Sequence, residues 1–256
     1  MLFRSLQWIP LLMIPALAVL ALLLPRIPPI ERLHAHSEGA GIRSLLPYKR
    51  PLTLLYLIVV LRTLAALSFA TFMPVMLTAR GMSVSAAGAA MAVYLFFTSI
   101  GGFFGGSLAD RWGPRNVIIW SLVFAVPFLV VAPLQSGWVF VATVSAGGFL
   151  LQSTLPVNVT FGQMIAPISA ATVSSLMMGF AWGTAGLCVP FVGMLADRAG
   201  IERSLVAMAL MPLVAAALAV PLPSDTIVHS SPRASEIGPA ESSGTDVTMQ
   251  ARVGTD

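Results

Sequence analysis

Long apolar stretches separated by short clusters of polar and turn-forming residues recur along this chain. Seven can be delimited, at about 7–25, 52–77, 84–108, 117–134, 138–161, 171–195 and 204–222. Each is apolar on all sides rather than along one stripe, and each is near the roughly 20 residues a helix needs to cross the hydrocarbon core of a bilayer. The pattern predicts an all-α membrane protein with about seven transmembrane helices, because a helix satisfies its peptide groups within one segment where no water can. After Pro223 the pattern stops. The tail, 224–256, is rich in Ser, Gly, Pro and Thr and nearly free of large apolar side chains, so it is expected to be disordered and cytoplasmic.

Composition agrees with the pattern: 57% of residues are hydrophobic and 9% charged, against about 25% charged in a soluble domain. The few basic residues fix the orientation. With loops assigned alternately, Arg26, Arg32, Arg43, Lys49, Arg50, Arg111, Arg115, Arg233 and Arg252 fall on one side, and Arg4, Arg80, Arg198 and Arg203 on the other. The first set belongs in the cytoplasm. This places the N-terminus outside and makes 26–50 a cytoplasmic linker. The run at 1–25 is expected to be a retained first span, since "LLLPRIPPIER" has no small-residue cleavage site. The basic balance carries no nucleic-acid role, for there is no basic run, zinc-ligand spacing or aromatic platform. Cys188 is the only cysteine, which excludes an intramolecular disulfide.

One short phrase occurs twice. "GGSLADRWG" at 105–113 returns 87 positions later as "VGMLADRAG" at 192–200. Three spans separate the copies, an odd number, so they are expected to face opposite sides of the bilayer. Residues 51–135 and 136–223 then read as two inverted three-helix repeats, an internal symmetry found in secondary transporters. Asp110 and Asp197 stand at the C-terminal ends of their helices, where the backbone dipole is already negative, and each needs a cationic or N–H-rich partner. Arg111 and Arg115 are candidates for Asp110, and Arg198 for Asp197. Gly113 and Gly200 suit the left-handed turn that closes such a helix.

Glycines precede both copies. Gly101, Gly102, Gly105 and Gly106 on one helix, and Gly179, Gly183, Gly186 and Gly193 on its mate, are expected to let backbones approach closely, either as static packing or where helices slide. Arg62 is the only charge expected near mid-membrane, where it costs at least about 2.5 kcal/mol unless it faces protein or water. It reads as a substrate or coupling anchor, or as a structural hydrogen bond to backbone carbonyls. Ala66, Phe69 and Met73 share its face. Thr154 and Asn158 lie on one face of the fifth span, where Pro156 frees the carbonyl of Gln152. Arg62, Phe69, Thr154 and Asn158 are the candidate substrate-binding residues.

The run Gly106-x-Leu108-Ala109-Asp110-Arg111-x-Gly113-x-Arg115 resembles the loop signature of the major facilitator superfamily, with Pro114 departing from the basic residue usual there. "LRTLAALSFATFMPVMLTARGMS", "LPVNVTFGQMIAP" and "SSLMMGFAWGTAGLCVPFVGMLADRAG" are together similar to the carboxy-terminal half of fosmidomycin-resistance-type efflux proteins. The resemblance implies one half of a major facilitator fold. It also implies secondary-active efflux of a small molecule from a bacterial inner membrane. The chain would need a missing N-terminal half, or a second copy of itself, as partner. A non-transporting membrane scaffold subunit or inactive gene remnant is the alternative. No cofactor and no metal are expected, and no enzyme: His34 and His36 read as solvated linker residues, and no nucleophile has a nearby base.

Overall fold

A computed structural model describes residues 42–223. The expected span at 7–25, most of the linker 26–50 with His34 and His36, and the tail 224–256 lie outside the described residues. A 3-10 turn, Ile42–Tyr48, leads into α1, Lys49–Ala79. There follow α2, Val84–Trp112, and α3, Pro114–Val131, which ends in a 3-10 turn at Ala132–Leu134. The next helix, α4, is Gly137–Ile165. A fifth helix, α5, spans Ala170–Ala199, and α6 spans Ile201–Ala219. All six are long and apolar enough to cross a membrane. At about 1.5 Å per residue, the 29 residues of α2 or α4 extend beyond a roughly 30 Å hydrocarbon core.

Local sequence sets the ends and the irregularities. Ser83 caps α2, its hydroxyl accepting from the Ala86 N–H at 3.3 Å. Pro114 occupies the first turn of α3, where its missing N–H has no intrahelical partner to lose. Prolines also stand inside helices, at Pro74, Pro127, Pro156 and Pro190. The Thr78 and Thr160 hydroxyls donate at 3.0 Å to the carbonyls of Pro74 and Pro156, the back-bond of a helical threonine to the residue one turn earlier. Helix α5 opens into a π turn over Ser175–Phe180, and α6 steps through a turn at Leu210 just before Pro212.

Helix α4 is the hub, and small residues make it one. A Cβ on Gly101 or Gly105 of α2 would overlap the backbone of Phe149 or Ser153 of α4. Gly147 leaves room for Leu129 of α3, Gly148 for Tyr94 of α2, and Gly162 for Val173 of α5. The main packed pairs are α2 with α4, α1 with α5, α3 with α4, α1 with α6, α3 with α6, α4 with α5, α1 with α4 and α1 with α2. Exchanging the triplet α1–α3 with α4–α6 maps this set of pairs onto itself. The two helices left most open are also exchange mates: 22% of the apolar window is buried in α2 and in α5, against 50% in α1 and α4.

The glycines of α5 depart from the expectation of close packing. Around Gly179, Gly183 and Gly186 nothing stands within 4 Å of where a Cβ would sit, and Gly193 meets only the ring edge of Phe72 at 3.6 Å. At Gly179, Gly183 and Gly186 this face of α5 meets none of the five other described helices, so spacing that matches α2 in sequence does no equivalent work within the described residues. On α2 the four glycines divide: Gly102 has ordinary contact with Gln152, and Gly106 faces open space.

Candidate functional site

Three places carry chemistry: a polar cluster inside the bundle, the two duplicated turns at its ends, and a groove beside α5. The cluster is built on Arg62, which α1 points at α4. Its Nη1 donates to the Leu151 carbonyl at 3.1 Å and toward Thr154 Oγ1 at 3.4 Å. The Thr154 hydroxyl spends its own proton on the same carbonyl, at 2.8 Å, and so meets the guanidinium as an acceptor. Arg62 Nε and Nη2, and both polar atoms of Asn158, have no hydrogen-bond partner among the described residues. Burial is complete at all four of the expected substrate-binding residues, with Arg62, Phe69, Thr154 and Asn158 at 0% exposure.

Among the described residues these four therefore face the interior of the bundle. The face of α1 carrying Arg62 and Phe69 is turned into the bundle, and the open face carries Thr53, Leu57, Thr71, Val75 and Thr78 instead. Neither of two open cavities is lined by any of the four. One, of about 620 Å³, is almost wholly apolar and lies among Phe97, Phe128, Trp138 and Phe149. The other, of about 290 Å³, lies between the start of α1 and the π turn of α5 and includes Lys49, Tyr56 and Phe180. The guanidinium contacts the carbonyl of Leu151, so the carbonyl freed by Pro156, that of Gln152, is not its partner.

The duplicated turns have the same backbone. Gly113 adopts φ 80°, ψ 141° and Gly200 φ 91°, ψ 149°. Each N–H closes the preceding helix at 2.9 Å, onto Ala109 and Ala196 respectively. Each carbonyl opens the next helix, accepting from Val117 at 3.1 Å and Ser204 at 3.2 Å. One residue therefore joins two helices. Its positive φ with extended ψ is essentially glycine-only, a tighter requirement than the left-handed cap that sequence suggested.

The carboxylates of these turns are exposed at Asp110 and Asp197, and the expected partners within the loops do not engage them. Arg115 turns instead to the end of α6, donating to the Val220 carbonyl. Among the described residues the one ion pair lies elsewhere: Arg80 Nη2 to Glu202 Oε1, at 2.6 Å. Arg80 also donates to the carbonyls of Pro133 and Gln135. Arg115 and Glu202 are counterparts, each five residues after its aspartate. Each fastens the start of one helix of the α3 and α6 pair to the end of the other, Arg115 directly and Glu202 through Arg80. Sequence reading counted Arg80 only as a topological charge and passed over Glu202. The equal offsets from Asp110 and Asp197 were the signal available.

Two further polar contacts tie α5 to its neighbours. The Tyr56 and Thr184 hydroxyls are 2.7 Å apart, and Gln163 Nε2 donates to Ser174 Oγ at 2.7 Å.

Comparison with known proteins identifies this architecture. The Major Facilitator Superfamily profile matches residues 2–160 and, in a second registration, 55–243. The chain belongs to this superfamily. Over 144 residues it is 35% identical to the uncharacterized MFS-type transporter YfnC of Bacillus subtilis (strain 168), covering 56% of this chain and 35% of that protein. Over 135 residues it is 33% identical to the fosmidomycin resistance protein of Escherichia coli (strain K12), covering 52% of this chain and 33% of that one. Among solved structures it resembles the MFS transporter FucP in the outward conformation, with TM-score 0.62 at 19% identity, covering 71% of this chain and 45% of that chain. A second FucP structure, of a variant of the E. coli fucose:proton symporter, gives the same TM-score at 18% identity. The match thus spans about a third of each curated relative and under half of the FucP chain. The six helices constitute a partial major facilitator fold, and the chain is an integral, multi-pass membrane protein.

Proposed function

We propose that this chain forms one half of a secondary-active transporter that exports a small molecule across a bacterial inner membrane, acting with an N-terminal half or with a second copy of itself. The observation that carries the reading is the coincidence of three unmet needs. Among the described residues, α2 and α5, exchange mates, are the least covered of the six helices; nothing stands close to Gly179, Gly183 and Gly186 of α5; and Asp110 and Asp197, on those same helices, have no cation partner. A second six-helix unit laid across α2 and α5 would answer all three. It would cover the apolar faces, let a helix approach Gly179 and Gly183 closely, and bring N–H groups or cations to the two carboxylates.

In this reading the Asp-Arg turns act as latches at opposite ends of the interface, made and broken in alternation as the halves rock about a central path. Gly106, Leu108, Asp110, Arg111, Gly113 and Arg115 form one latch, and Gly193, Asp197, Arg198 and Gly200 the other. The substrate path follows the open face of α1. Efflux as the direction follows the relatedness to the fosmidomycin resistance protein.

The test is reconstitution in an efflux-deficient strain, where fosmidomycin accumulation is measured with this chain alone, with the N-terminal half of the E. coli relative alone, and with both. Accumulation should fall only when both are present, and Asp110→Asn should restore it at unchanged membrane abundance. Activity of this chain alone, with crosslinked dimers in the membrane, would favour the second copy as partner. No fall in accumulation with either partner, while the intact E. coli protein exports normally, would favour the non-transporting scaffold.

A further inference from the structure

The smaller groove has chemistry that the bundle's packing does not use. It holds about 290 Å³, at the small end of the roughly 300–1,000 Å³ of ligand pockets. Lys49, Thr53 and Tyr56 reach it from one face of α1, spaced four and three residues apart, and Leu176 and Phe180 reach it from the π turn of α5. Such turns are frequent at functional sites. Among the described residues no acidic side chain bounds the groove and Lys49 forms no ion pair.

The hydroxyl protons can be counted. Thr184 donates its proton to the Phe180 carbonyl at 2.9 Å, so the 2.7 Å contact between Thr184 and Tyr56 is donated by Tyr56. The phenolic oxygen then has only lone pairs to offer. The groove therefore presents a cation at one end and an acceptor at the other, about 10 Å apart along the helix at about 1.5 Å per residue. Between them lie Leu52 and Leu176, with the Phe180 ring centred 6.1 Å from that of Tyr56.

We propose that this groove binds a small amphipathic anion, with its charged group at Lys49, its apolar body on Leu52, Leu176 and Phe180, and a hydrogen-bond donor at Tyr56. The groove would not enclose the two acyl chains of a phospholipid, and the occupant proposed is a solute. The inference rests on the transport reading, to which it gives a substrate class, but binding is measurable without transport.

The probes are 8-hydroxyoctanoate, octanoate, which lacks the far donor, and 1,8-octanediol, which lacks the charge. Each is titrated calorimetrically into the full chain in phosphatidylcholine nanodiscs. The hydroxy acid should bind tightest, with octanoate several-fold and the diol roughly tenfold weaker, as expected for losing a neutral and a charge-assisted hydrogen bond. Lys49→Gln should bring the hydroxy acid down to the level of the diol without altering the diol. Tyr56→Phe should erase the advantage of the hydroxy acid over octanoate. A thermal-unfolding midpoint within about 2 °C of wild type, a small fraction of the shift expected for a packing defect, checks that each variant is folded. Absence of binding, equal affinity for the three probes, or an unaffected Lys49→Gln variant would each overturn the proposal. So would loss of hydroxy-acid binding in phosphatidylglycerol nanodiscs, the behaviour of a lipid-headgroup site. Failure here leaves the fosmidomycin accumulation test standing, because that test turns on pairing of the halves and on Asp110.

Discussion

At the scale of single residues, the buried guanidinium is the sharpest case. Arg62 holds its charge at zero exposure with two contacts, while Nε and Nη2 have no partner among the described residues. A buried charge whose donors are incompletely met is a weak source of stability, and a well-packed apolar replacement is often neutral or stabilising. Arg62→Met is therefore expected to leave the apparent melting temperature in detergent unchanged or higher. Arg62→Ala, which removes the stem as well and leaves a cavity, should lower it by several degrees. A large loss in Arg62→Met would show that the guanidinium itself holds α1 to α4. The presence of a rare intramembrane charge was legible in the sequence, and so was one of its two readings, a hydrogen bond to a backbone carbonyl. What could not be read was which way α1 is turned. Every face of this helix is apolar, so periodicity marks the residues that share a side with Arg62 without saying whether that side meets α4 or a cavity.

Among elements, the glycines separate what spacing alone made look equivalent. Gly105 and Gly183 both belong to small-residue faces of exchange-mate helices, yet a Cβ meets the Ser153 backbone at the first and open space at the second. Backbone cannot yield as a flexible side chain can, so Gly105→Ala must push α2 off α4, a cost of about 1–3 kcal/mol or more. It should reduce the monodisperse fraction recovered in mild detergent, while Gly183→Ala leaves that fraction unchanged and lowers activity only when the second half is present. Equal recovery of the two variants would contradict the α2 and α4 packing. The span boundaries were readable because chain length and apolarity set them with no reference to neighbours. Pairings depend on what lies opposite, and so were not. The clasps at the ends of α3 and α6 make the same point: Arg80 at 23% and Glu202 at 57% exposure form an ion pair of the kind worth about 1 kcal/mol or less. The two carbonyls that Arg80 also holds make its loss costlier than that of Glu202. Arg80→Ala should therefore destabilise the chain more than Glu202→Ala in thermal unfolding.

For the whole molecule, the inverted relation between the two triplets is the claim on which the latches depend, and the described bundle gives it a strict form. Gly113 and Gly200 share a backbone conformation that only glycine adopts readily, each joins two helices through one residue, and three spans lie between them. A chain that crosses the bilayer at every span must put the two joints on opposite sides. The positive-inside rule predicts which is which: Lys49, Arg50, Arg111 and Arg115 lie with the first joint, and Arg80, Arg198 and Arg203 with the second, so the first joint is expected to face the cytoplasm. With Cys188 replaced by Ser, a single cysteine at Trp112, itself 61% exposed, should resist an impermeant maleimide in intact cells and react once they are permeabilised. A single cysteine at the exposed Arg203 should react in intact cells. Reaction of both from the outside would mean that one span does not cross, and the pseudo-symmetric pairing of α1–α3 with α4–α6 would then be a packing resemblance without the inverted topology that alternating latches require.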